Sequence, residues 1–456
     1  MLGWGDLKEG QAVGVGSEAG SGAGSKHVRR RPKGPRIAIG IAPDREPCHN
    51  DVMPPSLGSG KSLAMPQRLA SMDAYRGFVM LLMAGEMVRL GAVADKMPAD
   101  SVWHFLAHHQ DHVEWQGCTL HDLIQPSFSF LVGLALPWSI ASRQQSDQGF
   151  LRMLFHTLWR ALALSALGIA LRSTHASQTN FTFEDTLTQI GLGYTFLWLL
   201  AWRSVRTQVV ALLAILIGYW AWFAAAPLPG PEFDPATVGV SADWMKQHGL
   251  SGFAAHWNKN ANPAHHFEVW FLNLFPRAKT FLYNGGGYLT LSFIPTLGTM
   301  ICGLLVGGWL RREDIPIGRR LVRIACVGLA GLGAGWILDQ TGIAPVVKRI
   351  WTPSWVLFSG GWCCLLLSGF YLVADRLKQS WLTFPLQVVG MNSIFMYVTS
   401  HLWDGFFRDN LRTHLGKTFW VDYFGVYSPA IEGAAVLSIF WAMCWWLWKK
   451  RLFIRI

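Results

Sequence analysis

The chain has 456 residues, of which 51% are hydrophobic, 13% aromatic and 15% charged. Soluble globular domains carry roughly 25% charged side chains, so that class is excluded, as are fibrous and largely disordered chains. The net charge of +11 would point to nucleic acid in a soluble protein. Here 24 Trp and 47 Gly, with apolar runs of about twenty residues, mark an all-α polytopic membrane protein. In that setting Lys and Arg fix orientation, and no nucleic-acid partner is expected.

Residues 1–64 are rich in Gly, Ser, Pro and basic residues (GVGSEAGSGAGSKHVRRRPKGPR), and read as a disordered tail. They lack the apolar core and cleavage site of a secretory signal. Met65 opens MPQRLASMDAYRG and reads as a candidate start of translation. Residues 65–456 form one membrane domain. Its apolar segments lie near 74–94, 120–141, 153–172, 185–202, 207–226, 287–310, 320–338, 354–374, 385–403 and 428–448, a bundle of about ten spans. Of the seven cysteines, five fall inside these runs and act as small hydrophobes, and no disulfide or CxxC frame is visible.

With a cytoplasmic N-terminus, the inside loops carry Arg143, Arg152, Arg203, Arg206, Arg311, Arg312, Arg319, Arg320, Arg376, Lys378, Lys449, Lys450 and Arg451. The bias predicts both termini in the cytoplasm, although Lys348, Arg349, Arg408, Arg412 and Lys417 oppose it from outside. Two long outside loops follow, near 95–119 and 227–286, and loops of that length are usually functional.

Charged side chains within apolar spans face a bundle interior or a wet cavity. Asp73 and Arg76 share a helix face, as a helix-start ion pair or a cofactor contact; Glu86 and Arg89 repeat that spacing. The segment HFLAHHQDHVEWQGCTLHDLIQP is the richest in chemistry. One of its histidines could serve as base or nucleophile near neutral pH. His104, His108 and His112 would line one face if helical, a spacing compatible with zinc, but no metal-site frame accompanies them and no metal is expected. Asp122 reads as a helix cap or as the acid that orients an imidazole. Asp185 and Gln189 open the fourth span, and Asn392 and His401 lie within the ninth, out of phase with each other. NGGGYLTLSFIPT permits close backbone approach, though glycines alone are weak evidence for phosphate binding.

These residues resemble the heparan-alpha-glucosaminide N-acetyltransferase family of transmembrane acyltransferases, especially its bacterial branch. RLASMDAYRGFVMLLM is similar to the family's R-x-x-S-L-D-x-F-R-G opening, with Met72 and Tyr75 as departures. HVEWQGCTLHDLIQPSFSFLVG resembles its H-x-x-W-x-G-x-T-x-x-D-L-x-x-P-x-F-x-F-x-x-G block. DTLTQIGLGY, WTPSWVLFSGG and VVGMNSIFMYVTSHL resemble later blocks in the same order, so the likeness covers about residues 66–403.

The resemblance implies a bundle of about ten or eleven helices in the bacterial inner membrane. It implies transfer of acetyl from cytoplasmic acetyl-CoA to an amino sugar across the bilayer, and a homodimer. The family's catalytic histidine carries over to His112, with Asp122 orienting its ring. A family asparagine at the outer end of the first helix falls on Met87, beside Glu86. The cofactor side is expected to use Asp73, Arg76, Asn392 and the cytoplasmic Arg311, Arg312, Arg319 and Arg320, whose guanidinium forks suit phosphates. Glu86, Trp115, Trp351 and His401 are expected on the acceptor side, the indoles stacking on sugar. A transporter of amino sugars or their oligosaccharides is the rival reading, though no internal repeat supports it.

Overall fold

In a computed structural model, which describes residues 69–146 and 148–454, all ten apolar segments are helical. The tail read at 1–64 lies outside the described residues. α1 Ala70–Ala84, α2 Leu90–Ala94 and α3 Val102–Gln110 precede α4 Ile124–Gln145, α5 Phe150–Arg172, α6 Thr186–Ala201 and α7 Val205–Ala225. The connection 226–292 carries the short helices α8 Ala242–His248 and α9 Pro263–Leu272. The bundle resumes with α10 Phe293–Leu310, α11 Ile317–Gln340, α12 Pro353–Phe370, α13 Ser380–Met391 and α14 Ser393–Leu415. It closes with α15 Phe419–Phe424 and α16 Ser428–Lys449.

Seven of these segments are long and apolar enough to cross a membrane, and the pair α13 and α14, bent by 72°, makes up to eight. The expected count of about ten is therefore not reached by length: α1 has 15 residues and α6 has 16, short of the roughly 20 that span hydrocarbon. The protein is a polytopic helical membrane protein.

The span at Thr290–Leu310 is 67% buried and that at His121–Gln145 is 56% buried, whereas Phe150–Arg172 and Ile317–Gln340 are 17% buried. α4 and α10 thus form the centre. Glycine lets their backbones touch, because a Cβ on Gly133 would stand 1.9 Å from Met300 O and one on Gly303 2.0 Å from Phe130 O. Small residues at such crossings substitute for the hydrophobic drive that lipid removes.

The first predicted span, 74–94, is interrupted. Gly85–Val88 is a 3-10 turn and Arg89 adopts a left-handed conformation with φ 52, so Glu86 and Arg89 do not share one helix face. The groups freed at this break are taken by one amide: Gln110 Nε2 donates to Gly85 O at 2.6 Å and Gln110 Oε1 accepts from Leu90 N at 2.7 Å. At the other end of α1, Asp375 accepts from the N–H groups of Ala70 and Ser71, both at 3.0 Å. That acid closes a π-helical last turn, Tyr371–Arg376, and satisfies orphan donors of the helix start. α13 crosses α1 tightly, with no room for a Cβ on Gly77 or Gly390.

Candidate active site

α3 stops at Gln110 because Asp111 turns to extended backbone, and its carboxylate accepts from His112 N at 2.8 Å. His112 therefore leaves the face expected to carry His104 and His108. Among the described residues no group of three or more His, Cys, Asp or Glu could hold a metal ion. His112 Nδ1 lies 2.8 Å from Asp122 Oδ1. Asp122 sits in the 3-10 turn His121–Leu123 that opens α4. Its Oδ2 accepts from Thr119 N and Thr119 Oγ1, both at 3.0 Å, and from Val113 N at 3.3 Å. The acid ties down the loop that precedes α4 and faces the imidazole; it caps no helix N–H, so the helix-cap reading is corrected.

Lys348, in the connection between α11 and α12, completes the cluster. Its Nζ stands 3.2 Å from Asp122 Oδ1 and 3.0 Å from His112 Nδ1, and the side chain is 5% exposed. An ammonium and a carboxylate cannot both be served by one lone pair on Nδ1. The consistent assignment has Nδ1–H donating to Asp122, Lys348 donating to the same oxygen, and the lone pair on Nε2, which lies 3.4 Å from Lys348 Nζ. Burial and the Lys348 charge hold the His112 pKa below its ordinary value, so the ring is neutral near pH 7. The two loops are laced together by Gly117 N donating to Val346 O at 2.9 Å. Arg349 donates to Val113 O at 3.1 Å and to Gly286 O at 2.9 Å.

His112 lines an open cleft with Glu86, His121, Glu184, Lys348, Tyr397 and His401. Glu86 pairs with His121 rather than Arg89: Oε1 lies 2.6 Å from His121 Nε2, and the His121 ring centroid is 4.6 Å from that of His112. Arg172, Asp185 and Tyr288 add to the walls. Asp185 also caps α6, accepting from Leu187 N at 2.9 Å and Thr188 N at 3.2 Å.

Of the expected acceptor-side residues, Glu86 and His401 line the cleft, and Trp115 and Trp351 do not. Trp115 is buried, its indole donating to Trp257 O at 3.1 Å, and Trp351 is buried, donating to Thr299 Oγ1 at 3.1 Å. Neither ring face is open to a sugar in this structure. Gly287, at φ +77, packs on the Trp115 ring, so the Asn284–Thr296 glycines serve a turn and close packing. The expected cofactor-side residues sit away from this cleft. Arg311, Arg312, Arg319 and Arg320 flank the α10–α11 connection, at the far end of α10. There Arg311 donates to Pro137 O at 2.8 Å, Arg312 pairs with Asp314 at 2.6 Å, Arg320 bonds Leu310 O and Arg319 is exposed. Asp73 and Arg76 form an ion pair of 3.4 Å, and Asn392, at the α13–α14 break, accepts from Ile454 N at 3.1 Å.

Sequence reasoning missed Lys348 and the pairing of His121. Lys348 had read as a charge opposing the orientation rule; its nearness to the WTPSW block was the available signal.

A polytopic helical membrane protein with a His–Asp–Lys cluster in a cleft at one end of its bundle is the class these features define. The chain is 24% identical over 413 residues to human heparan-alpha-glucosaminide N-acetyltransferase, covering 81% of this chain and 58% of that protein. It is 22% identical over 424 residues to the mouse protein of the same name, covering 85% of this chain and 60% of that one. The chain thus spans less than two thirds of the length of these curated relatives. No family model matches it. These two similarities, over about four fifths of the chain, support membership of the heparan-alpha-glucosaminide N-acetyltransferase family.

Proposed function

We propose that this protein is a membrane acetyltransferase that moves acetyl from cytoplasmic acetyl-CoA to an amino sugar of the glucosamine type on the far side of a bacterial inner membrane. The observation that carries this reading is the imidazole of His112, paired with Asp122 at 2.8 Å and opening on a polar cleft. His112 Nε2 takes the proton from the attacking amine as the amine nitrogen bonds the thioester carbonyl carbon and the C–S bond breaks. Asp122 fixes the tautomer and stabilises the imidazolium that forms. The same free nitrogen would also serve an acetyl-imidazole route. Glu86 and His401 line the acceptor side.

Counting α1 and α6 as short crossings gives ten spans and both termini in the cytoplasm. The basic α10–α11 connection then faces cytoplasmic acetyl-CoA, where Arg319 and the neighbouring guanidinium groups suit its phosphates, and Asp73, Arg76 and Asn392 border the inner entrance. The twenty-one residues of Thr290–Leu310 separate that end from the cleft by about 30 Å, a length for the thin acyl-pantetheine arm to cover. A homodimer remains an expectation from the family.

Thiol release from acetyl-CoA by purified protein, with and without glucosamine, tests the reading. Sugar-dependent release lost in His112→Ala is expected. Sugar uptake into vesicles without acetyl-CoA, and no thiol release, would replace the enzyme with a transporter.

A further inference from the structure

The proposed reaction removes two protons from its acceptor, and His112 has one free nitrogen. An amine beside sugar hydroxyls titrates in the range of an α-amino group, about 8, and so reaches the cleft largely as an ammonium. It cannot attack until the first proton has left. The second leaves as the N–C bond forms, and His112 can return it to the departing thiolate. Resting on the acetyltransferase reading, we infer that the Glu86–His121 pair is the subsite that binds the acceptor as its ammonium and takes this first proton.

Glu86 engages His121 through a single oxygen, and 62% of its side chain stays exposed, whereas His121 is 5% exposed. A buried imidazole thus holds a carboxylate at the cleft wall, 4.6 Å ring to ring from His112. Glu86 and His112 line the same cleft, and the inference requires one acceptor nitrogen to reach both. The carboxylate pairs with RNH3+ and relays its first proton to water at the exposed edge of Glu86. The free amine then attacks the thioester, its second proton goes to His112 and then to the thiolate sulfur. The balance is RNH3+ plus acetyl thioester giving the amide, the thiol and one proton. Met87, where the family resemblance puts an asparagine, is buried, so the polar contact on this wall comes from its neighbour.

Glu86→Gln keeps an oxygen for His121 and removes the charge. Its kcat/KM for glucosamine is expected to fall about tenfold near pH 6, where the acceptor is cationic, and to come within about twofold of wild type near pH 9, where it is free amine. KM for acetyl-CoA stays unchanged. The other titratable groups of the cleft, His112, Arg172, Glu184, Asp185, Tyr288, Lys348, Tyr397 and His401, feel the Glu86 charge, so a charge-retaining variant is the control for any shift in them. Glu86→Asp, which retains the charge, is expected to recover the activity near pH 6. A loss of equal size at both pH values, or equal loss in both variants, would make Glu86 a structural residue and overturn the inference. A wild-type protein that releases no thiol with glucosamine would instead remove the acetyltransferase reading, and this subsite with it.

Discussion

His112 is held by two groups of opposite charge, and their balance sets the pH at which it can work. A base must be unprotonated, so the acid limb of kcat/KM follows its pKa, which burial and Lys348 keep below the ordinary imidazole value of about 6.5. Lys348→Met removes the cation and leaves Asp122 to favour the imidazolium. The acid limb should move to higher pH by about one unit, an effect a purely structural lysine would not produce. A limb that stays in place or moves down would refute the role given to Lys348. His112 and Asp122 were legible in the sequence because the H-x-x-W-x-G block joins them within ten residues. Lys348 lies 236 residues away in sequence, and nothing local distinguishes a site lysine from a loop lysine. Trp115 and Trp351 had the right chemistry for a sugar, but burial, decided by tertiary packing, has closed both.

Helix positions were legible from apolar runs, and helix breaks were not. The pattern 74–94 is continuous in hydropathy, yet Gln110, sixteen residues beyond it, supplies the hydrogen bonds that let the backbone turn at Gly85–Arg89. The 72° bend after Met391 follows the crossing of α13 over α1, which no local pattern reports. At the far end of α14, Arg408 and Glu432 form a buried pair at 3.1 Å, each side chain 4% exposed. Arg412 closes on the same carboxylate at 2.5 Å. Arg408 also pairs with Asp404 at 3.0 Å, so losing Glu432 costs at most the about 3–5 kcal/mol typical of breaking a buried pair. Glu432→Gln should therefore lower the melting temperature in detergent markedly while leaving the His112 cleft chemistry intact. A thermal melt unchanged within error would show that the α14–α16 contact is held by packing alone. Gly287→Ala is expected to destabilise the loop end of the bundle, because a Cβ there would meet Trp115 Cζ3 at 2.8 Å and φ is +77. Its test is increased proteolysis near 285–290, and a wild-type digestion pattern would refute it.

Across the whole molecule, four of the five charges that opposed the orientation rule have internal duties, and Lys417 stays exposed. Lys348 serves the cluster at His112, Arg349 bonds Val113 O and Gly286 O, and Arg408 and Arg412 neutralise Glu432. Setting these four aside sharpens the basic bias toward the loops at the α10–α11 end. The proposed topology thus predicts that, with Cys48, Cys118 and Cys326 replaced by Ser, a membrane-impermeant thiol reagent labels Asp243→Cys on intact cells and Glu313→Cys only after permeabilisation. The reverse pattern would invert the protein and put the His112 cleft in the cytoplasm.

Proteoliposomes separate the two substrates and so test whether the protein, with His112 as base, moves acetyl across the bilayer to a sugar amine. Radiolabelled acetyl-CoA is supplied on the side of the α10–α11 connection and glucosamine on the other, with wild-type protein and His112→Ala compared. The account predicts labelled N-acetylglucosamine accumulating on the sugar side with wild type, and a fall of about a hundredfold or more in the variant. Labelled product formed equally by both proteins, or by neither, would contradict it.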